Sequence, residues 1–238
     1  MSALFHEILY RPLFNLLVFL YNFLPGHDLG FAIIVLTIMI RVLFIPLSLK
    51  AQRSSRDMAR IQPKIQELQA KFKDDKQALA QATMSLYKEH KVNPLSGCLP
   101  ILIQLPVIWA LYRVFMNGVN GDTLSNLYAF VHNPGTIGDV AFGFLNLSKN
   151  FPALAIFTGV LQGIQSWFTV KLQKTAQSGS GGAMANNPAL KMTQQMMYFF
   201  PIMITVISWG LPAGLVLYWM TTTAFSILEQ LYIRRKYV

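Results

Sequence analysis

The sequence has few charged residues, and acidic ones are particularly scarce. Charged residues make up 13% of the 238 positions, whereas soluble domains carry about 25%. Lys and Arg number 20 and Asp and Glu only 10, which gives a formal net charge of +10. Because 53% of the residues are hydrophobic, the composition excludes an ordinary soluble domain and indicates an integral membrane protein. The basic residues cluster between apolar runs, which fits orientation in a membrane better than binding of nucleic acid.

Residue types that build catalytic or metal sites are also scarce. The single cysteine, Cys98, excludes a disulfide framework and a cysteine metal site. All four histidines lie outside the apolar runs, and those runs hold no acid pair, Ser–His pair or H-E-x-x-H motif for an intramembrane protease. The sequence also lacks a phosphate-binding glycine loop. We therefore predict that the protein is not an enzyme and has no catalytic residues, cofactor or metal.

Long apolar runs predict five transmembrane helices. The stretch Met192–Leu228 has no charge and is too long for one span of about 20 residues. The Gly- and Pro-containing segment Trp209–Gly214 divides it into a tight hairpin of two helices. The predicted spans are 29–49, 94–117, 151–171, 193–209 and 213–231.

The distribution of Lys and Arg predicts the orientation. Half of the 20 Lys and Arg residues lie in 50–91, and further basic residues occur in the loop 172–192 and the tail 232–238. With five spans these segments share one side, which the positive-inside rule assigns to the cytoplasm. The N-terminus and the loop 118–150 are then external, and the C-terminus is cytoplasmic.

The first 24 residues predict an interfacial helix rather than a span. Their apolar run, Leu13–Leu24, is short for a membrane crossing, and Glu7, Arg11 and Pro12 precede it. We expect 1–24 to form an amphipathic helix along the membrane surface. A sixth span here would move only the N-terminus inside, so charge alone does not exclude it. The segment lacks the basic region and A-x-A-like site of a cleaved signal.

The segment 50–91 predicts an antiparallel helical hairpin in the cytoplasm. One apolar stripe recurs every three or four residues, as on a helix that packs against a partner: Met58, Ile61, Ile65, Leu68 and Phe72. A second stripe follows the turn at Asp74-Asp75: Leu79, Ala82 and Leu86. Pro63 either kinks the first helix or opens its main part. The basic surface suits acidic or RNA-bearing partners such as a ribosome, and a topological anchor with a solvated face is the alternative.

Arg41 places a cation inside the first predicted span. An arginine at the centre of a membrane helix costs about 2.5–3.5 kcal/mol on insertion scales. The other apolar runs contain no Asp or Glu, and the nearest acid, Glu229, falls at the end of the last one. Arg41 must therefore face water, backbone carbonyls or a ligand within the membrane, or extend toward the interface.

Other polar residues accompany Arg41 in the apolar runs. The candidate site residues are Thr37, Gln104, Gln162, Gln165, Tyr218 and Trp219. Such groups hydrogen-bond across helices in lipid, so a structural role stays open for each of them. Together with an unpaired Arg41 they indicate a polar, hydrated concavity.

Several motifs carry a family resemblance in their order and spacing. They are Leu29–Ile33 with Thr37, Arg41 and Pro46-Leu47; Gln62–Ile65; Leu86–Glu89; Val92–Pro100 with Gln104–Pro106; Phe200-Pro201; and Leu211–Trp219. The most specific of them is Val92–Pro100. Over nearly its full length the sequence resembles the YidC/Oxa/Alb family of membrane protein insertases.

The resemblance implies an all-α polytopic membrane protein of the bacterial plasma (inner) membrane. It implies a hydrophilic groove, open to the cytoplasm and lipid and closed outside, with Arg41 as the groove cation. Arg41 would receive the polar, often acidic outer segment of a nascent membrane protein, whose apolar segment would slide along the third and fifth spans into lipid. The implied partners are nascent membrane proteins, the ribosome and targeting machinery through 51–91, the general Sec translocon and the lipid bilayer, without a small-molecule substrate. The rival hypotheses are a small channel or transporter and an assembly factor without insertion activity.

Overall fold

The protein is mainly α-helical. A computed structural model describes residues 5–73, 75–93, 99–117, 121–177 and 188–237. A π-helical turn at His6–Tyr10 leads into the helices α1 Arg11–Phe23, α2 Leu29–Leu43, α3 Ile45–Lys71, α4 Lys76–Glu89, α5 Leu99–Asn117, α6 Gly121–Leu124, α7 Pro152–Gln177, α8 Pro188–Trp209 and α9 Ala213–Tyr237. The expected helical class is therefore found. One small antiparallel sheet was not expected: β1 Val140–Ala141 pairs with β2 Leu145–Asn146, with Ala141 opposite Leu145.

The chain divides into two compact units. The first comprises Met1–Leu43, Ile103–Gln165 and Phe200–Val238, and the second comprises Phe44–Leu102 and Ser166–Phe199. The core of the first unit is apolar and draws on α1, α2, α5, α9 and the segment that carries β1 and β2. Its central side chains include Phe14, Ile33, Leu111, Leu145 and Leu217. Large apolar side chains also cover the outside of this unit, including Phe19, Phe23, Phe157 and Val160. Apolar surface on both the inner and outer faces suits a protein whose solvent is lipid.

A break at Phe44 separates α2 from α3. The first predicted span, 29–49, extends past this point, but α2 ends at Leu43 and α3 begins at Ile45. Pro46 supplies the physical reason, because its ring clashes with the carbonyl four residues earlier and it has no amide hydrogen to donate. The chain restarts the helix with Ser48 donating its backbone amide to the Phe44 carbonyl at 2.9 Å.

Helices α3 and α4 form a hairpin in the second unit. Its small core joins Ile61 and Ile65 of α3 with Leu86 and Val92. Asp75 starts α4, since its carboxylate accepts hydrogen bonds from the amides of residues 77 and 78 at 3.0 and 2.9 Å. Pro63 lies inside the continuous helix α3, so the alternative in which it opens the main part of that helix is wrong.

Length and composition identify a few membrane-crossing candidates among the described residues. Pro152–Lys171 in α7 is long and apolar enough to cross a bilayer, and α2 with α3 would add a second crossing if the pair counts as one broken span. Met197–Trp209 in α8 is apolar but shorter. The predicted start of the second span at 94, the start of the external loop at 118 and the centre of the loop 172–192 lie outside the described residues. The count of five spans stays a prediction.

Candidate functional site

Arg41 lies in the last turn of α2, against helix α9. Its Nη2 donates to the Thr222 carbonyl at 3.3 Å and to the Ser226 hydroxyl. The guanidinium carbon stands 5.5 Å from the centre of the Phe225 ring. A carbonyl, a hydroxyl and an aromatic face thus stabilise the charge. We call Arg41, Thr222, Phe225 and Ser226 the arginine cluster.

Helical periodicity explains why α9 supplies the partners. Residues 222, 225, 226 and 229 follow the i, i+3, i+4, i+7 spacing that puts side chains on one helix face. Ser226 also donates its hydroxyl to the Thr222 carbonyl at 2.9 Å, which holds its oxygen in place as an acceptor for Arg41. The same face ends at Glu229, whose charge attracts that of Arg41. No carboxylate in the described part of the chain forms an ion pair with Arg41.

Tyr218 and Gln104 form a second polar contact on α9. Tyr218 is 1% exposed and lies one turn before Thr222. The Gln104 side-chain amide of α5 donates to the Tyr218 hydroxyl. A buried phenol and a carboxamide therefore pair with each other, as polar groups must where water is excluded.

The two glutamines of α7 form a third polar contact. Gln162 is 8% exposed, and its side-chain oxygen accepts a hydrogen bond from the Thr223 hydroxyl of α9 at 3.1 Å. Its amide group donates to the Gln165 side-chain oxygen at 3.1 Å. The backbone carbonyl of Trp219 lies 3.0 Å from the same Thr223 hydroxyl. The pair Gln162–Gln165 therefore contacts α9 on a separate set of residues from the arginine cluster.

Thr37 lies within α2, one turn before Arg41. It is fully buried, and its hydroxyl donates to the Ile33 carbonyl of its own helix at 2.6 Å. Of the predicted site residues, the structure sets Arg41, Gln104 and Gln162 against α9, which itself carries Tyr218 and Trp219. The sequence analysis did not select Thr222, Phe225, Ser226 or Thr223. Spacing of the polar residues 218, 222, 226 and 229 along one face of α9 was the available signal.

The β1–β2 hairpin and the residues that follow it, up to 149, join the first turns of α2 and α9. Asp28 caps α2 by accepting from the Gly30 amide at 2.7 Å, and its other oxygen accepts from the Phe142 amide at 2.5 Å. Gly30 allows this approach, because a Cβ there would lie 2.6 Å from the Ala141 Cβ. At the start of α9, the amides of residues 213 and 214 donate to the carbonyls of 149 and 147 at 2.8 and 3.0 Å. The segment thus satisfies two orphan amides at the start of α9, and at the start of α2 it donates a hydrogen bond to the capping carboxylate of Asp28.

These features define a class: a helical membrane protein with a cation that neutral groups hold in an apolar helix. The chain belongs to the 60Kd inner membrane protein family, whose model matches residues 19–238. It is 36% identical over 230 residues to the "Membrane protein insertase YidC" of Fusobacterium nucleatum subsp. nucleatum, covering 96% of this chain and 98% of that protein.

Other relatives are longer than this chain. The protein of the same name from Endomicrobium trichonymphae is 33% identical over 98% of this chain, which spans 40% of it. The Geotalea daltonii protein of that name is 34% identical over 94% of this chain, which spans 37% of it. Among solved structures, "Active YidC insertase crystal structure with the first transmembrane domain resolved" shares the fold, with a TM-score of 0.59 and 22% identity over 100% of this chain and 47% of that one.

Proposed function

We propose that the protein is a membrane protein insertase and chaperone. It receives the hydrophilic segment of a nascent membrane protein in a hydrated groove that contains Arg41, and it releases the apolar segment into lipid. The observation that carries the proposal is a guanidinium in an apolar helix, bonded to neutral groups of α9. The insertases of the same family, including one that matches along nearly its whole length, support the same activity.

The chemistry of Arg41 suits transient binding of an acidic segment. A guanidinium has five N–H donors in a planar fork, and the contacts to α9 use Nη2. The Arg41 Nε is buried and has no hydrogen-bond partner among the described residues. A carboxylate of a client segment would therefore find an unused donor and a charge without a direct ion pair.

Free energy explains why such a groove helps a client. Each polar backbone or side-chain group that enters hydrocarbon without a hydrogen-bond partner costs on the order of several kcal/mol. A hydrated groove shortens the apolar distance that the segment crosses. The apolar segment then leaves along the third and fifth spans, corresponding to α7 and α9, and no nucleotide is needed.

The rest of the chain positions this groove in the bacterial inner membrane. In this proposal 1–24 lies at the outer interface, five helices span the bilayer and the C-terminus is cytoplasmic. The hairpin 51–91 contacts the ribosome and targeting machinery, and the Sec translocon is a further partner. The remaining site residues, Thr37, Gln104, Gln162, Gln165, Tyr218 and Trp219, support or line the groove.

A rival channel function needs a continuous path across the membrane. The β1–β2 hairpin and the residues after it tie the starts of α2 and α9 together, because the Phe142 amide donates to the Asp28 carboxylate and two α9 amides donate to backbone carbonyls. That arrangement favours a groove closed on the outside. An assembly factor without insertion activity would bind folded partners yet leave a model client outside the membrane. Ion flux and client insertion separate these alternatives.

Reconstitution in liposomes tests the proposal. A single-span client with a short acidic outer segment is added, and its protection from external protease is compared for wild type, Arg41→Ala, Arg41→Lys and empty liposomes. Wild type and Arg41→Lys should protect the client, whereas Arg41→Ala should fall toward the empty-liposome background. Lys149→Ala is the control, because it removes a cation from the exposed external segment. Protection no greater than in empty liposomes would reject insertion, and full activity of Arg41→Ala would reject the role of the cation.

A further inference from the structure

Glu229 continues the face of α9 that holds Arg41. It stands three residues after Ser226, so one helical turn separates it from the hydroxyl that Arg41 contacts. Its charge attracts that of Arg41. Glu229 Oε1 is buried, and within the described part of the chain it has no hydrogen-bond partner.

Two charged side chains at this face, Arg41 and Glu229, therefore attract each other without forming a hydrogen bond. Arg41 keeps a buried Nε donor, and Glu229 keeps a buried Oε1 acceptor, among the described residues. Neutral groups fill the space between them on the helix face, with Ser226 and the Thr222 carbonyl bonded to the guanidinium. A direct ion pair between Arg41 and Glu229 would satisfy both groups and make the guanidinium unavailable to a client. In the observed arrangement the negative charge of Glu229 lowers the positive potential at Arg41, but Glu229 does not occupy the guanidinium.

We infer that Glu229 is an internal counter-charge that competes with the acidic segment of a client for Arg41 and so sets how acidic that segment must be. This inference rests on the proposed insertase function. Glu229 lowers the attraction of the groove for any carboxylate, because the two negative charges repel each other. Neutral client segments do not experience this repulsion.

The expected effect is a change in discrimination between clients. At an effective dielectric constant of about 20, two charges about 8 to 16 Å apart interact by an amount that corresponds to about 5- to 30-fold in affinity. Glu229→Gln should therefore lower the client concentration that gives half-maximal insertion by about 5- to 30-fold for an acidic outer segment. The same substitution should leave a client with Asn in place of each acid unchanged.

The experiment titrates the acidic and the neutral client against reconstituted protein and measures protease protection. Asp139→Asn is the matched control, because it removes one negative charge from the exposed external segment. Arg41→Lys with Glu229→Gln repeats the test in a background that keeps the cation and the activity, and the gain for the acidic client should recur there. An equal effect of Glu229→Gln on both clients, or no gain for the acidic client in either background, would overturn the inference.

A second variant keeps the test decisive if Glu229→Gln does not fold. Glu229→Ala removes the same negative charge with a smaller side chain and should likewise lower the half-maximal concentration for the acidic client only. A neutral-client response of the same size would contradict the competition. Failure of the inference is also distinct from failure of the proposed function. If wild type inserts no client, the insertase proposal fails, whereas insertion with unchanged client ratios rejects only the role of Glu229.

Discussion

Replacing Asn15 with leucine should loosen the segment that follows α6 while leaving α1 helical. Asn15 is 2% exposed although it is polar. Its side-chain amide donates to the Asn126 carbonyl at 3.1 Å and to the Arg11 carbonyl at 2.8 Å. Its side-chain oxygen accepts from the Tyr128 amide at 2.6 Å. Asn15 therefore fastens α1 to residues 126–128 of the same unit.

The free-energy cost of the substitution comes from the Tyr128 amide, which donates to the Asn15 side-chain oxygen. Leucine has a similar size but no polar atom, so it fills the space without bonding. The Asn126 carbonyl keeps the bond from Arg11 Nε at 3.1 Å, whereas the Tyr128 amide loses the Asn15 oxygen. Leaving a donor unsatisfied away from water costs about 1–3 kcal/mol. Because 1.4 kcal/mol is a factor of ten, the opening equilibrium of this segment should rise about 5- to 150-fold.

Amide hydrogen exchange of the purified protein in lipid nanodiscs measures this local opening. The control is Asn22→Leu, the same substitution two turns further along α1. Asn22 donates to the His132 carbonyl at 2.6 Å, and water can replace that bond because His132 is exposed. Its effect should stay below about 1 kcal/mol, or roughly fivefold. Unchanged exchange at Tyr128 in Asn15→Leu, or equal acceleration by both variants, would refute the reasoning.

Two further predictions concern backbone contacts. Asp28→Ala removes the acceptor 2.5 Å from the Phe142 amide, so amide hydrogen exchange in the β1–β2 hairpin should accelerate. Unchanged protection of the Phe142 amide would contradict the role of this hydrogen bond. Gly159→Ala should lower the free energy of unfolding in mixed micelles by about 1–3 kcal/mol through overpacking. The added Cβ would lie 3.1 Å from the Thr205 Cβ and nearer still to the Thr205 hydroxyl. Gly163→Ala on the same helix meets no atom within 4 Å and should not destabilise; equal losses for both variants would rule out the close contact.

Part of the fold was predictable because glycine and proline limit where helices continue. Pro212 with its neighbouring glycines indicated a turn, and α8 ends at Trp209 just before it. Apolar composition alone carried the first predicted span to residue 49, whereas Pro46 restricts the backbone before it and the helix breaks at Phe44. Strands of two residues, as in Val140–Ala141, are too short to show alternation. Sequence therefore located helices better than their breaks and short strands.

The sequence allowed individual residues of the candidate site to be predicted, but not the contacts between them. Arg41 is conspicuous because charge in an apolar run is costly. Spacing put Thr37 on the same face, yet that residue is satisfied by its own helix at the Ile33 carbonyl. Ser226 and Phe225 acquire their role only when α2 packs against α9. Periodicity shows which side chains share a face, and tertiary packing decides what that face meets.

Helix α9 combines a fixed end with the contacts that hold Arg41. Its first turn is fixed, because the carbonyls of residues 147 and 149 accept from its first amides. Further along, its buried Tyr218 is paired with a neutral amide, and Ser226 meets Arg41 without cancelling the charge. A carboxylate at position 226 would satisfy Arg41 fully and leave little attraction for another acid. Neutral partners at 222 and 226, with the acid displaced by one turn to 229, hold the guanidinium in place and keep its charge available.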